Sequence, residues 1–237
     1  MKIIIAIVVV ILAVVGFWTW RYPSGHWRYR MTVTVETPEG IKTGSAVREV
    51  QAYREPEIFP QQPGGHASIR GEAIAVDLGE RGILFGLYEQ PDNPDYSYQI
   101  MLDMFPMPDE KYGGGGLTVK GINYYSHLQT GKADLPISKL PLLVRFRDIR
   151  DPKTVEQVDP RNLTASFGEG VRLGTVTIEP TDDPVTTGIE KRLPWFKEFH
   201  NKHFDGERFE TIKAKNRLAN SLSSEAFSTG ASHYDKH

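Results

Sequence analysis

Residues 31–40 read M-T-V-T-V-E-T-P-E-G, and this stretch decides the fold class. Met31, Val33 and Val35 fall on one face of an extended chain, and Thr32, Thr34 and Glu36 on the other. That alternation predicts a half-buried strand. Pro38-Glu39-Gly40 supplies the turn, and Ile41–Val50 follows as its hairpin partner. Working outward, Ala73–Tyr88 predicts a second hairpin, folded about Gly79-Glu80-Arg81-Gly82. Leu140–Phe146 and Val171–Ile178 predict two more strands, with 22 Gly and 16 Pro to turn the chain between them. Helices are predicted to be short. Tyr96–Phe105 is one, and Ile122–Thr130, stopped by Gly131, is another. A third starts at Asp159-Pro160, turns Leu163 and Phe167 inward and ends at Gly168. The expected fold is therefore α+β and β-rich. It is one globular domain of antiparallel hairpins with a few short helices, over residues 27–210. Residues 211–237, Ser-rich and weakly periodic from about Arg217, are expected to be a poorly ordered tail.

A different element precedes this domain. Ile3–Trp20 carries no charged side chain, and at about 1.5 Å rise per residue such a helix spans close to the ~30 Å hydrocarbon core. Phe17, Trp18 and Trp20 gather at the end closed by Arg21, the position aromatic rings take at headgroup level. A cleaved signal peptide would be shorter and would end in small residues. Residues 1–21 are accordingly expected to be a single-pass transmembrane signal-anchor, with 22–26 a juxtamembrane linker. Lys2 precedes the run, and Arg21, Arg28 and Arg30 follow it. By the positive-inside rule the second group would hold the domain in the cytoplasm. The architecture, a tiny positive start and one apolar helix, is that of exported signal-anchor proteins. The expectation is a bacterial inner-membrane protein with its domain on the periplasmic side. Its first partner would be the lipid bilayer, through residues 3–20.

Removing Lys2 and Arg21 from the 28 basic residues leaves 26 against 30 acidic ones. A nucleic-acid-binding protein would carry a basic surplus instead. The chain has no cysteine, which removes thiol catalysis and lipid attachment through a cysteine. No cofactor motif is present. Gly113–Gly116 could cradle phosphate only if a helix followed, and Leu117–Lys120 reads as a strand, so a connector is expected there. The Pro- and Gly-rich Glu55–Ala67 is likewise expected to be a loop.

The reactive candidates are few. His200 and His203 stand three residues apart in H-N-K-H, and Asp205 is the nearest carboxylate, which together make a weak metal set. Lys197 and Lys202 put positive charge beside it, so surface histidines are the plainer expectation. Ser45 lies inside a strand rather than at a nucleophile elbow. Asp182-Asp183 before Pro184 reads as a turn. Arg145 and Arg147 share a strand face and are expected to pair with carboxylates across the sheet. In Pro184–Trp195, the positions Ile189, Leu193 and Phe196 recur at helical spacing until Pro194 breaks it. That leaves two readings of Trp195 and Phe196. They cap the core, or with Arg192 they form an exposed interaction surface.

Four stretches carry a resemblance. They are W-R-Y-R-M-T-V-T-V-E-T-P-E-G from Trp27, G-E-A-I-A-V-D-L-G from Gly71, L-P-L-L-V-R-F-R-D-I-R-D-P from Leu140, and the segment from Gly170 ending P-V-T-T-G-I-E-K-R-L-P-W at Trp195. Together they resemble a family of uncharacterised proteobacterial proteins. The resemblance implies a bacterial source and one integrated domain, and carries no catalytic residue with it. Two functions compete on these grounds. One is a membrane-anchored, non-catalytic binding or scaffold module. The other is a hydrolase or metal-dependent enzyme whose residues converge only in three dimensions.

Overall fold

The computed structural model describes residues 2–56, 64–88, 90, 92–108 and 115–230, with the side chains of Lys2, Ile3 and Ala6 outside that description. Helix α1 spans Lys2–Arg21 and β1 starts almost at once, at Ser24–Thr37. The expected linker 22–26 therefore shrinks to Tyr22-Pro23, because Arg54 N donates to Pro23 O and ladder pairing begins at Ser24↔Tyr53. Among the described residues no helix is long and apolar enough to cross a membrane. The uninterrupted run of described side chains in α1 begins only at Ile7.

Strands β2 (Gly40–Arg54) and β3 (Gly65–Arg70) complete a meander with β1. After β4 (Ile74–Asp77) and β5 (Ile83–Gly86) come α2 (Tyr96–Met104) and α3 (Val119–Ser126). Then follow β6 (Ala133–Asp134), β7 (Leu143–Phe146), β8 (Val155–Gln157), α4 (Leu163–Phe167), β9 (Arg172–Pro180) and α5 (Arg217–Ser221). Two antiparallel sheets result, ordered β3-β2-β1-β9-β6 and β4-β5-β7-β8. The chain is α+β with antiparallel sheets and few helices.

The β1 alternation works as read: Trp27, Tyr29, Met31, Val33 and Val35 are all buried, and the residues between them are not. Their face packs on α2, α3, α4 and one side of the second sheet, in a first core that includes Ile74, Val76 and Leu84. The other side of the second sheet, with Phe85, Leu87, Val144 and Phe146, faces a second core. Burial on both faces explains why Ile83–Tyr88 is continuously apolar instead of alternating. Strand β2 passes close over β4 because Gly44 has no Cβ; one built there would run into the Ala75 carbonyl.

The second core is closed by the chain's C-terminal part, which corrects the expected tail. Asn216 caps α5 through Ala219 N, and Ala219, Leu222, Ala226 and Phe227 are buried against Phe146 and Trp195. Ser-rich composition misled here because the serines are caps and anchors: Ser223 accepts from Glu225 N, and Ser224 Oγ donates to Phe196 O. Residues 231–237 of that expectation lie outside the described residues, as do 57–63 of the Glu55–Ala67 loop and Gly113 and Gly114. Gly65–Ala67, expected in that loop, instead opens β3.

Two helix boundaries also move. Leu117–Lys120 is not a strand: Thr118 accepts from Gly121 N and starts α3, which ends at Ser126 rather than Thr130. Asn162, not Asp159, caps α4; Asp159 accepts from Arg161 N in the turn before it. Gly168, at φ 92°, ends α4 as expected.

Candidate functional site

The outer face of the first sheet carries a polar ladder. Its register places Ser24, Tyr53 and His66 in one row, His26, Gln51 and Ser68 in the next, and Arg28, Glu49 and Arg70 in the third. Glu49 is almost fully buried and accepts from Arg28 Nε at 2.6 Å, Gln51 Nε2 at 2.9 Å and Arg70 Nη1 at 3.4 Å. Burial alone would raise its carboxyl, but these donors outweigh it and hold it below the ordinary value.

After β9 the chain crosses this face. Thr181 N donates to Arg28 O, Arg28 Nη1 reaches Asp182 O at 3.3 Å, and Asp183 pairs with Arg30. Asp182-Asp183 is thus a tethered turn. Thr186 then exchanges hydrogen bonds with Val47 on the edge of β2, just beyond the last β3 pair. Gly188, at φ 112°, adopts the left-handed conformation and turns two successive N–H groups onto one carboxylate. Gly188 N donates to Glu72 Oε1 at 2.8 Å, Ile189 N to Oε2 at 2.9 Å, and Ser228 Oγ to Oε1 at 3.3 Å.

Glu72 therefore ties three parts of the chain together. Its own carbonyl accepts from Nε of Arg48, which is fully buried and also donates to Gly86 O and Ser97 Oγ. Desolvation raises the Glu72 carboxyl above its ordinary 4.5, and the two backbone N–H groups offset this only in part. A raised folded value means that the folded state holds this proton more tightly than the unfolded chain does. Stability contributed by Glu72 is present below pH 4.5 and is lost as pH rises through the folded value. In urea unfolding across that interval, the stability of wild type minus that of Glu72→Gln should fall with rising pH. A flat or rising difference would assign the carboxylate to the opposite sign.

A groove of about 670 Å³ opens beside this junction, lined by Gln51, Ser68, Arg70, Glu72, Thr187 and Ser228 among others. A second, of about 450 Å³, lies across Thr186–Gly188 and reaches Ser45, Lys191 and Arg192. The first is lined by polar and apolar groups together, Ile69, Val185 and Phe196 among the latter. The Glu72 oxygens already accept three bonds, so the groove offers mixed polar and apolar recognition rather than an idle base.

The expected metal candidates do not converge. His200 Nδ1 lies 2.7 Å from Lys197 O, and Asp205 Oδ1 accepts from Glu207 N at 3.0 Å. His203 lines a separate cleft of about 250 Å³ with Gln90, Glu210 and Glu225. Among the described residues no group of three or more His, Cys, Asp or Glu could hold a metal ion. The H-N-K-H spacing suggested a shared helical face, and the chain there makes bends and turns instead.

The proposed interaction surface is corrected too. Trp195 and Phe196 are 5 % and 2 % exposed, inside the second core. Ile189 and Leu193 join them there, as their spacing required, through a 3-10 turn and successive turns instead of an α-helix. Arg192 alone reaches solvent, where Nη1 lies 3.6 Å from Asp77 Oδ2 in an exposed pair of small energetic weight. Arg145 and Arg147 both clasp Glu156 at 2.9 Å, the cross-strand pairing expected of them.

No protein-family model matches the chain, and no curated protein or solved structure matches it either. The functional reading therefore stands on the chain's own chemistry. Sequence reasoning passed over Arg48, Glu49 and Glu72. One signal was available: R-E at 48–49 interrupts the apolar A-V-R-E-V, and a charged doublet inside a buried strand needs partners.

Proposed function

We propose that this chain is a membrane-anchored, non-catalytic binding or scaffold module of the bacterial envelope. In this reading α1 is the signal-anchor in the inner membrane, and the two-sheet domain stands on the periplasmic side. One observation carries it: the uncharged run Ile3–Trp20, within a helix whose described side chains are exposed on every side. A helix that is apolar on every side requires either a protein core or lipid around it. Grooves of mixed polar and apolar lining beside Thr186–Gly188, rather than a convergent acid–base pair, support binding over catalysis.

Alkaline carbonate washing of membranes should leave the full chain in the pellet. A reporter fused after His237 should be active only outside the inner membrane. A chain released by the wash, or a mature chain starting near residue 17, would end the anchor reading. Reporter activity confined to the cytoplasm would reverse the orientation in favour of Arg21, Arg28 and Arg30.

A further inference from the structure

Between α1 and β1 there are two residues, and both are bonded. Tyr22 N donates to Trp18 O at 2.8 Å, extending the helix, while Pro23 O accepts from Arg54 N at 3.1 Å, joining the end of β2. Two or three residues of chain reach about 10 Å at most. Ser24 therefore lies within about 10 Å of the Arg21 end of α1, and Tyr53 and His66 follow it across the sheet one and two strands further on, at about 5 Å each.

The row's chemistry fits one environment. Tyr53 is 41 % exposed and stacks on His66, with ring centroids 5.2 Å apart and planes 19° from parallel. Two residues before Ser24, Tyr22 packs tilted against Trp18 with ring centroids 4.9 Å apart, and Arg21 lies over the Tyr22 ring at 5.2 Å. Aromatic rings with polar tips and a neighbouring cation are the side chains that settle at the headgroup layer. On the proposed anchor reading, we infer that the Tyr53–His66 stack is a docking surface for the headgroups of the membrane holding α1. It seats the first sheet end-on, with the β1–β2 turn pointing away. Continuity with α1 selects lipid as the occupant over a second copy or a soluble ligand.

The cysteine-free sequence permits single spin labels in the full chain. Tyr53→Cys, His66→Cys and Ile41→Cys would be labelled in vesicles of phosphatidylethanolamine and phosphatidylglycerol. Ile41 is 70 % exposed at the far end of β2, about 40 Å from Tyr53 along the strand. Accessibility to a water-soluble nickel complex should be severalfold lower at 53 and 66 than at 41, with oxygen accessibility reversed. If Tyr53→Cys loosens the sheet end, a label at exposed Ser68, one row further along the same face, should fall between the two extremes. Equal water exposure at 53, 66 and 41 in chains that survive a carbonate wash would overturn the docking and leave the anchor standing. Chains removed by the wash would overturn both.

Discussion

Trp195→Ala is expected to lower the stability of the domain by about 3–5 kcal/mol, the range for truncating a large buried aromatic. The indole sits against Phe204 at 4.7 Å, Phe146 at 5.1 Å, Phe227 at 6.0 Å and Phe199 at 6.2 Å between ring centroids. Its Nε1–H donates to Ile149 O at 2.9 Å, so the substitution also strands a carbonyl. For a domain of this size the loss corresponds to a fall in Tm of roughly 6–20 °C. Trp195→Phe keeps a ring in the cluster and removes the donor, and should cost less than the alanine. Thermal unfolding of the full chain in mild detergent reads both. An unchanged Tm for the alanine variant would put Trp195 back on the surface.

Deleting residues 216–237 should abolish the cooperative unfolding transition of the second core. The cut removes Ala219, Leu222, Ala226 and Phe227, the Ser224 bond to Phe196 O, and the Phe227 carbonyl that accepts from Ala73 N. What remains loses the Phe227 ring that packs on both Phe85 and Phe146, opening part of that core to water. Phe227→Ala isolates the aromatic share and should cost about 3–5 kcal/mol on its own. Combined with Trp195→Ala it should be non-additive by about 0.5–3 kcal/mol, since the rings are neighbours. Near-ultraviolet circular dichroism and dye binding would follow the loss. A deletion chain that melts like wild type would show the C-terminal segment to be dispensable.

The parts of the fold legible in the sequence are those decided by near neighbours. Met31, Val33 and Val35 with the Pro38–Gly40 turn specify the β1–β2 hairpin within a few residues of each other. The same holds for β4–β5, and for Leu163, Phe167 and Gly168 in α4. What could not be read was decided at a distance. Leu117–Lys120 is the exception, a local cap hidden by strand-like composition: Thr118 accepts from Gly121 N and starts a helix. Arg48 is tolerable in a core only because carbonyls of Glu72 and Gly86 and the hydroxyl of Ser97 arrive from three other parts of the chain. Glu72, between β3 and β4, gave no local signal, since its donors come from residues 188, 189 and 228. Of the candidate site, then, the sequence marked Pro184–Trp195 as the segment to watch without showing that its glycine and threonines, not its tryptophan, line the groove.

The long reach of Phe227 has a kinetic corollary. Phe227 meets Phe85, which precedes it by most of the domain's length, and β9 returns to β1 across a similar gap. Such wide sequence separations slow folding, because loop closure must come before the contacts that reward it. A ribosome or translocation channel delivers the chain from its amino end. The β1–β2 hairpin can therefore form early, while the second sheet waits with one aromatic face open until residues 216–227 emerge. During that interval the nascent domain is a client for a holdase and is prone to aggregate. On the proposed anchor reading, α1 would tether each waiting chain to the membrane during that interval.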